Sequence, residues 1–191
     1  AVVIPTEAII PVQDGKKVFV ANKGMAKEVM VETATRTDAS ILVLSGLKSG
    51  DTVFCQSITF SASANPIAYQ GATPVFIDSE KDTWNMDPVM LRTALEEAKH
   101  NGKMPKAIIP VHLYGMPAKM DEILSIANEY GVPVIEDAAE ALGSNIDNKP
   151  CGSFGEFGVL SFNGNKIITT SGGGALLSEN AEMIEKARFL A

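Results

Sequence analysis

Lys166 is the residue whose type and surroundings could do chemistry most directly. It lies within Ser-Phe-Asn-Gly-Asn-Lys-Ile-Ile-Thr-Thr-Ser-Gly-Gly-Gly, residues 161–174, after a predicted strand and before glycines that let a backbone approach a ligand closely. A phosphate-binding P-loop is excluded, because no Gly directly precedes Lys166 and no Ser or Thr follows it. Most lysines are solvated surface residues. The residue is therefore either a solvated lysine or an amine that acts as nucleophile or base.

Asp137 is the second residue with two interpretations. It follows the predicted apolar strand Pro133 to Glu136, at the end of a strand where ligands of open α/β sheets collect. It could cap a helix over residues 138–142. It could instead be a carboxylate that keeps a pyridine nitrogen protonated, so that a cofactor can act as an electron sink. Asp137 stands in the motif Val-Ile-Glu-Asp-Ala-Ala-Glu-Ala-Leu-Gly at residues 134–143, and both interpretations remain open on these residues alone.

The composition limits the class of protein. The chain has 191 residues, 46% hydrophobic and 20% charged, which suits a globular protein of one or two domains. A net charge of −7 without a run of basic residues argues against nucleic-acid binding. No apolar stretch approaches the roughly 20 residues of a membrane span. Cys55 and Cys151 lack zinc or redox spacing, so we expect two reduced, buried thiols and a soluble protein of the cytoplasm.

The elements that must position these residues begin with a β-rich segment, residues 1–54. Val, Ile and Thr are frequent in it, and the turn residues Asp14-Gly15 and Asn22 to Gly24 suit hairpins. The predicted strands are Val2–Ile4, Lys17–Ala21, Lys27–Ala34 and Ile41–Leu44.

From residue 55 onward, predicted helices alternate with short apolar strands. Asp87 caps a helix that starts at Pro88 and stops at Gly102, and a second helix, over about 119–130, is closed by Gly131. A last helix starts near Asn180. This alternation is typical of an α/β domain with a mostly parallel sheet and right-handed crossovers. Its other predicted strands are Pro74–Ile77, Ala107–Leu113, Gly158–Phe162 and Gly174–Leu177.

Residues from about 50 to 191 resemble the DegT/StrS-type sugar aminotransferases, which are fold type I pyridoxal-phosphate enzymes. The two motifs above carry the resemblance together with four more, in the order of that family. These are Gly-Asp-Thr-Val at 50–53, Thr-Phe-Ser-Ala-Ser-Ala-Asn at 59–65, Gly-Ala-Thr-Pro-Val-Phe at 71–76 and Pro-Val-His-Leu-Tyr-Gly at 110–115. The resemblance implies a partial fold type I large domain over residues 55–191, and amino transfer to a keto group of a nucleotide-linked sugar.

The resemblance also implies roles for single residues. Lys166 would form the Schiff base with the cofactor and then move a proton to and from the substrate carbon. Asp137 would pair with the pyridinium nitrogen, Phe60 would stack on the ring and Ser161 would hydrogen-bond the phosphate. Glu140 stands where many relatives place Gln or His beside the cofactor, and this departure leaves its contact open. Related dehydratases have His at the position of Lys166, so the lysine favours amino transfer.

Four further residues receive no catalytic role. A lone His at a strand end, such as His112, is more often a satisfied core or turn residue than a catalyst. Trp84, Met86 and Tyr114 are interpreted as packing residues. The charged stretch 96–99 is interpreted as the solvated face of a helix.

Residues 1–54 resemble a different family, the membrane-proximal β domain of periplasmic adaptor subunits of efflux pumps. The similar residues are Val-Ile-Pro-Thr-Glu-Ala-Ile at 3–9, Lys-Val-Phe-Val at 17–20 and Leu-Ser-Gly-Leu-Lys-Ser-Gly-Asp-Thr-Val at 44–53. Both families share a Gly-Asp-x-Val step, which suggests a chimera joined near residue 50. The alternative is that this similarity reflects generic β propensity.

Complete relatives have an N-terminal phosphate-binding helix start and a C-terminal substrate domain, for which this sequence has no counterpart. We therefore expect impaired catalysis, since cofactor and substrate must be held together. The expected partners are a nucleotide-linked keto sugar, an amino donor such as glutamate and further copies of the chain, because family members are usually dimers. An inactive chimeric fragment or an interaction module is the alternative function.

Overall fold

The computed structural model of the chain describes residues 10–12, 15–22, 25–31 and 46–190. The chain divides into two compact units, Ala1–Arg36 with Phe189–Ala191, and Thr37–Arg188. The predicted strands at residues 2–4 and 41–44 lie outside the described residues.

The smaller unit contains three antiparallel strands in the order β1-β2-β3. Val12 pairs with Gly15 and Asn22 pairs with Met25. Asp14 and residues 23–24 of the predicted turns lie outside the described residues. The predicted strands at 17–21 and 27–34 correspond to the second and third strands, whereas the first was not predicted. The strands are β1 Ile10–Val12, β2 Gly15–Asn22 and β3 Met25–Val31.

The larger unit is built on a mostly parallel sheet. Three parallel strands lie in the order β5-β4-β6, and a further parallel pair, β7 and β10, is extended by the antiparallel strand β11. Parallel bridges from Ile108 to Val134 and from Val111 to Asp137 join the two groups along β6 and β7. The strands are β4 Thr52–Gln56, β5 Thr73–Ile77, β6 Ile108–Ile109, β7 Ile135–Asp137, β8 Asn145–Ile146, β9 Lys149–Pro150, β10 Phe157–Ser161 and β11 Gly174–Leu177.

Two helix ends have the capping chemistry that the sequence predicts. The Asp87 carboxylate accepts a hydrogen bond from the Val89 amide (2.8 Å) at the start of the second helix. Gly131 ends the third helix with φ 67°, a left-handed conformation that glycine adopts without strain. The first helix, which has only five residues, was not predicted. The helices are α1 Asn65–Tyr69, α2 Pro88–His100, α3 Met120–Tyr130 and α4 Ala181–Leu190.

The helices cover the two faces of the sheet. Successive residues of a strand point to opposite faces. Phe54 therefore packs with α2 and α3 on one face, in a cluster that includes Leu91 and Ile123. Its neighbours Val53 and Cys55 face the other side, where Ile67 of α1 and the half-buried Ile184 of α4 pack. The result is a three-layer α/β unit.

One predicted strand is shorter than expected. The sequence predicts a strand over Ala107–Leu113, whereas the observed strand comprises Ile108–Ile109. It ends there because Pro110 has no N–H to donate. The chain then turns through a 3₁₀ helix, Leu113–Gly115, in which Tyr114 has φ 52°. This turn places the residues after β6 over the edge of the sheet.

Both cysteines are free and buried, as predicted. Burial, with the nearby charge of Asp137, raises the pKa of Cys55 to about 12. Burial also raises the pKa of Cys151 to about 11, with a contribution from Glu136. At neutral pH both side chains are therefore thiols rather than nucleophilic thiolates.

Candidate active site

The predicted site residues lie at one edge of the larger sheet. Asp137 and Ser161 are the last residues of the parallel strands β7 and β10, and Phe60 follows the end of β4. The carboxyl ends of parallel strands share an edge, where open α/β sheets bind ligands. The sheet therefore brings three separate segments of the sequence to one place.

Asp137 is held on both carboxylate oxygens. Ser63 Oγ donates to Oδ2 (2.5 Å), and the Ala139 amide donates to Oδ1 (3.1 Å). Its backbone is also fixed, because its N–H donates to the Pro110 carbonyl (2.9 Å) and its carbonyl accepts from the His112 amide (3.0 Å). Residues 138–142 form turns and no helix, so this side chain does not cap the helix of the alternative interpretation.

Lys166 meets Glu140 across the site. Its Nζ lies 3.3 Å from Glu140 Oε1, and the side chains are 14% and 31% exposed. The second oxygen, Oε2, accepts from the Tyr114 amide (3.0 Å). In this structure Glu140 therefore contacts the candidate lysine and the turn after β6.

Phe60 and Ser161 lie at the same edge without hydrogen bonds to Asp137 or Lys166. Phe60 is 74% exposed at the start of the 3₁₀ helix Ser61–Ser63, the helix that supplies the Ser63 hydroxyl. Ser161 Oγ accepts from the Asn163 amide at 3.5 Å, and Ser161 lies two residues beyond Val159, the partner of Asp137 in the sheet. An exposed aromatic ring and a serine hydroxyl thus lie on the segments that follow β4 and end β10, at the edge where Asp137 ends β7.

A buried carboxylate, that of Glu136, lies next to Asp137 in the sequence. Glu136 is fully buried and accepts from the amides of Gly152 (2.8 Å), Phe154 (2.5 Å) and Gly155 (2.7 Å). Burial alone would raise the pKa of Glu136, but the hydrogen bonds from His112 and these amides hold it below its ordinary value. The residue beside Asp137 therefore stays ionised and rigidly held.

His112 completes this buried cluster. Its Nδ1 accepts from the Ala118 amide (3.0 Å), so the ring proton lies on Nε2 and is donated to Glu136 (2.9 Å). The ring is fully buried. The prediction of a satisfied core histidine is confirmed.

Sequence reasoning missed three polar residues that hold the loops around the site. Ser63 contacts Asp137 directly, as described above. Gln56 Oε1 accepts from the Met86 and Val111 backbone amides (2.7 and 3.2 Å), and the Asn85 side-chain Nδ2 donates to the Met116 carbonyl (2.8 Å). The buried side chains of Gln56 and Asn85 thereby tie the loop after β5 to the turn after β6.

Two of the three packing predictions were wrong. Met86 is fully buried, as predicted, but Trp84 and Tyr114 are 61% and 85% exposed. Both aromatic residues have positive φ values, 63° and 52°, which place them at turns rather than in the core. The stretch 96–99 is mostly exposed on α2, as predicted. Among residues 46–189, no cluster of three or more His, Cys, Asp or Glu side chains could hold a metal ion.

The three-layer arrangement, with a mostly parallel sheet between helices, defines the larger unit as an open α/β fold. The chain belongs to the DegT/DnrJ/EryC1/StrS aminotransferase family, whose model matches residues 13–191. Pyridoxal phosphate is the cofactor of this family. The matched range also includes most of residues 1–54, the segment whose sequence resembles efflux-pump adaptors.

Two curated relatives show what share of a family member's length this chain covers. It is 61% identical to EpsN of Bacillus subtilis over 168 residues, which are 88% of this chain and 43% of EpsN. It is 39% identical to the GDP-perosamine synthase of Caulobacter vibrioides, over 92% of this chain and 46% of that protein. The chain therefore spans less than half the length of these relatives.

Solved structures confirm the predicted fold class. A DegT/DnrJ/EryC1/StrS aminotransferase from Brucella abortus superposes with a TM-score of 0.74 at 39% identity, covering 78% of this chain and 41% of that one. NtdA from Bacillus subtilis, with bound PMP, superposes with a TM-score of 0.67 at 33% identity, covering 78% and 32%. In the described part of the chain, no helix is long and apolar enough to cross a membrane.

Proposed function

We propose that this chain binds pyridoxal phosphate through Lys166 and contributes to amino transfer onto a keto group of a nucleotide-linked sugar. One observation carries the proposal: the Lys166 side chain is 14% exposed, and its Nζ lies 3.3 Å from Glu140 Oε1, at the sheet edge where Asp137 ends its strand. The family match and a relative named for GDP-perosamine synthesis support the sugar substrate.

The residues at the sheet edge fit this cofactor. Pyridoxal phosphate, when bound, supplies an electron sink for charge that develops on the substrate carbon. Asp137 presents a carboxylate whose two oxygens are already oriented, which suits it to hold a proton on the ring nitrogen. The exposed ring of Phe60 offers a flat apolar surface for stacking, and the Ser161 hydroxyl offers a donor to a phosphate oxygen.

Lys166 would hold the cofactor covalently and act as base and acid at the substrate carbon. The Glu140 carboxylate restricts where Nζ can point, because its other oxygen is anchored on the Tyr114 amide. A general base transfers a proton faster when it is held in the orientation that the transfer requires. The low exposure of the lysine side chain also keeps bulk water from competing for that proton.

The wider expectations about the chain remain predictions. They comprise glutamate as amino donor, self-association, a cytoplasmic location, impaired catalysis, a domain boundary near residue 54 and a chimeric origin of residues 1–54. Light scattering tests self-association. The coding sequence on both sides of this stretch tests the chimera, since an aminotransferase reading frame running through the N-terminal segment would contradict it.

Cofactor binding is tested by titrating the purified chain with pyridoxal phosphate and recording its visible absorption. We expect a saturable visible band that disappears in Lys166→Ala and persists in Lys103→Ala, a control at an exposed lysine. A folded chain without such a band would contradict the proposal. It would favour an interaction module or an inactive fragment.

Amino transfer needs a separate assay. The chain is mixed with cofactor, glutamate and a nucleotide-linked keto sugar, and the formation of 2-oxoglutarate is followed. The predicted impairment means slow or no exchange by the 191-residue chain alone. Exchange at a rate comparable to that of full-length relatives would show the impairment prediction to be wrong.

A further inference from the structure

We infer that Ser63 is a positioning residue that fixes the Asp137 carboxylate for the ring nitrogen and couples it to the loop carrying Phe60. The inference rests on the proposed function. Ser63 belongs to none of the site residues that the sequence predicted. Its side chain is 2% exposed and 74 residues away from Asp137 in the sequence.

The directions of the hydrogen bonds follow from the chemistry of the groups. An ionised carboxylate only accepts, so the single hydroxyl proton of Ser63 is donated to Asp137 Oδ2 at 2.5 Å. Ser63 Oγ can then only accept from Thr59 Oγ1, which lies 2.6 Å away. The alternative acceptor for Thr59, the Phe60 carbonyl, is farther at 3.3 Å. A chain of donors therefore runs from Thr59 through Ser63 to Asp137.

This chain joins two parts of the proposed cofactor site. Phe60 lies between Thr59 and Ser63, and the Ser63 amide donates to the Phe60 carbonyl (3.1 Å). A movement of the carboxylate would therefore move the turn that presents the aromatic ring. The same hydroxyl orients the acid at the nitrogen and the turn that bears the stacking residue.

Removing the hydroxyl leaves Asp137 Oδ2 without its donor and free to rotate away from the ring nitrogen. Hydrogen bonds to charged groups are among the stronger ones in proteins. The bond is present in the structure before any ligand is added, so only the part of its strength that orients the carboxylate toward the ring nitrogen would reach the binding equilibrium. We expect Ser63→Ala to weaken pyridoxal phosphate binding about tenfold.

The experiment compares two ligands on the full chain. Dissociation constants are measured from visible absorption or fluorescence for pyridoxal phosphate and for its analogue with C–H in place of the ring nitrogen. Asp137 cannot pair with the analogue, so Ser63→Ala should leave the affinity for the analogue within about twofold of the unsubstituted chain. Ser61→Ala, an exposed serine of the same 3₁₀ helix, is the matched control and should behave like the unsubstituted chain with both ligands.

Two further variants separate positioning from structure. Ser63→Thr keeps the hydroxyl and should restore most of the lost affinity for pyridoxal phosphate. If Ser63→Ala does not fold, Ser63→Cys replaces it, since a thiol of similar size is a weak donor and should give a smaller but still ligand-selective loss.

Each outcome distinguishes this inference from the proposed function. Weaker binding of pyridoxal phosphate alone supports the positioning role. Equal weakening with both ligands indicates a merely structural serine and overturns it, as does unchanged affinity. An unsubstituted chain that binds no pyridoxal phosphate fails the proposed function at the first step, before any variant is compared.

Discussion

Two segments at the carboxyl edge of the sheet differ in how firmly they are held. The acid segment, residues 134–143, is held by hydrogen bonds to the carboxylates of Glu136 and Asp137 and to the backbone of Asp137. The lysine loop, residues 162–173, is mostly exposed and bonded chiefly to itself, as in the bond from the Lys166 amide to the Asn163 carbonyl. Within the described chain, the long-range side-chain hydrogen bond of this loop is that of Lys166 to Glu140.

The fold itself positions the acid segment, whereas the lysine loop can still be positioned by a ligand. The acid needs no ligand to find its orientation, because packing and buried hydrogen bonds determine it. The lysine has one partner at a partly exposed carboxylate, and such a contact contributes little to stability. We therefore expect cofactor binding to order the lysine loop and to leave the acid segment almost unchanged.

Gly158→Ala should disturb the backbone that holds the acid segment, and it should lower the free energy of unfolding more than the other substitutions below. A Cβ at Gly158 would lie 1.8 Å from the Gly152 carbonyl oxygen, and this clash involves backbone that cannot rotate away. Gly152 is one of the donors to Glu136. We expect the free energy of unfolding in urea to fall by about 3 kcal/mol or more.

Gly164→Ala is the matched control in the lysine loop. A Cβ there meets no atom within 4 Å, so the free energy of unfolding should stay within about 0.5 kcal/mol. Equal losses in both variants would mean that the two segments are equally constrained.

Glu136→Gln should have the second largest effect. The amide places a donor where backbone N–H groups and His112 already donate, so we expect a loss of about 2 kcal/mol near neutral pH. Glu97→Gln, on the exposed face of α2, should change stability by no more than about 0.5 kcal/mol.

The pH dependence sharpens this prediction. Because the folded state holds the pKa of Glu136 below its ordinary value, the stabilisation from its carboxylate is complete above that ordinary value and is lost as pH falls through the folded-state pKa. The stability difference between the native chain and Glu136→Gln should therefore shrink on acidification. A difference that grows toward low pH would show that the carboxylate is not the stabilising form.

The sequence predicted the parts of the fold that local chemistry determines. Asp87, Pro88 and Gly131 mark helix ends through their own backbone and capping preferences, and the structure has those helices. Helix α1 was missed because five residues are too few for a periodic pattern. The exposure of Trp84 and Tyr114 was missed because an aromatic side chain alone does not reveal that its backbone is in a turn.

Prediction of the site had a similar limit. Asp137 and Lys166 stand in motifs that a family comparison finds. Ser63 lies in the small-residue run Ser-Ala-Ser-Ala, and its partner is 74 residues away, so no local signal marks it. The shared-edge rule for parallel strands predicts which segments meet, but not which hydroxyl reaches which oxygen.

Glu140→Ala should have the smallest effect on stability and a local effect on dynamics. The pair is partly exposed, so the free energy of unfolding should change by no more than about 0.5 kcal/mol. Hydrogen exchange should accelerate at amides of the lysine loop, since its long-range anchor is lost, while the acid segment stays protected. Glu140→Gln is the graded control: its single amide oxygen can accept from either the Tyr114 amide or Lys166, but not from both in the present geometry, so it should keep only part of the protection. If the amides of both segments accelerate together, the two form one cooperative unit, and the acid depends on the lysine loop as much as the loop depends on it.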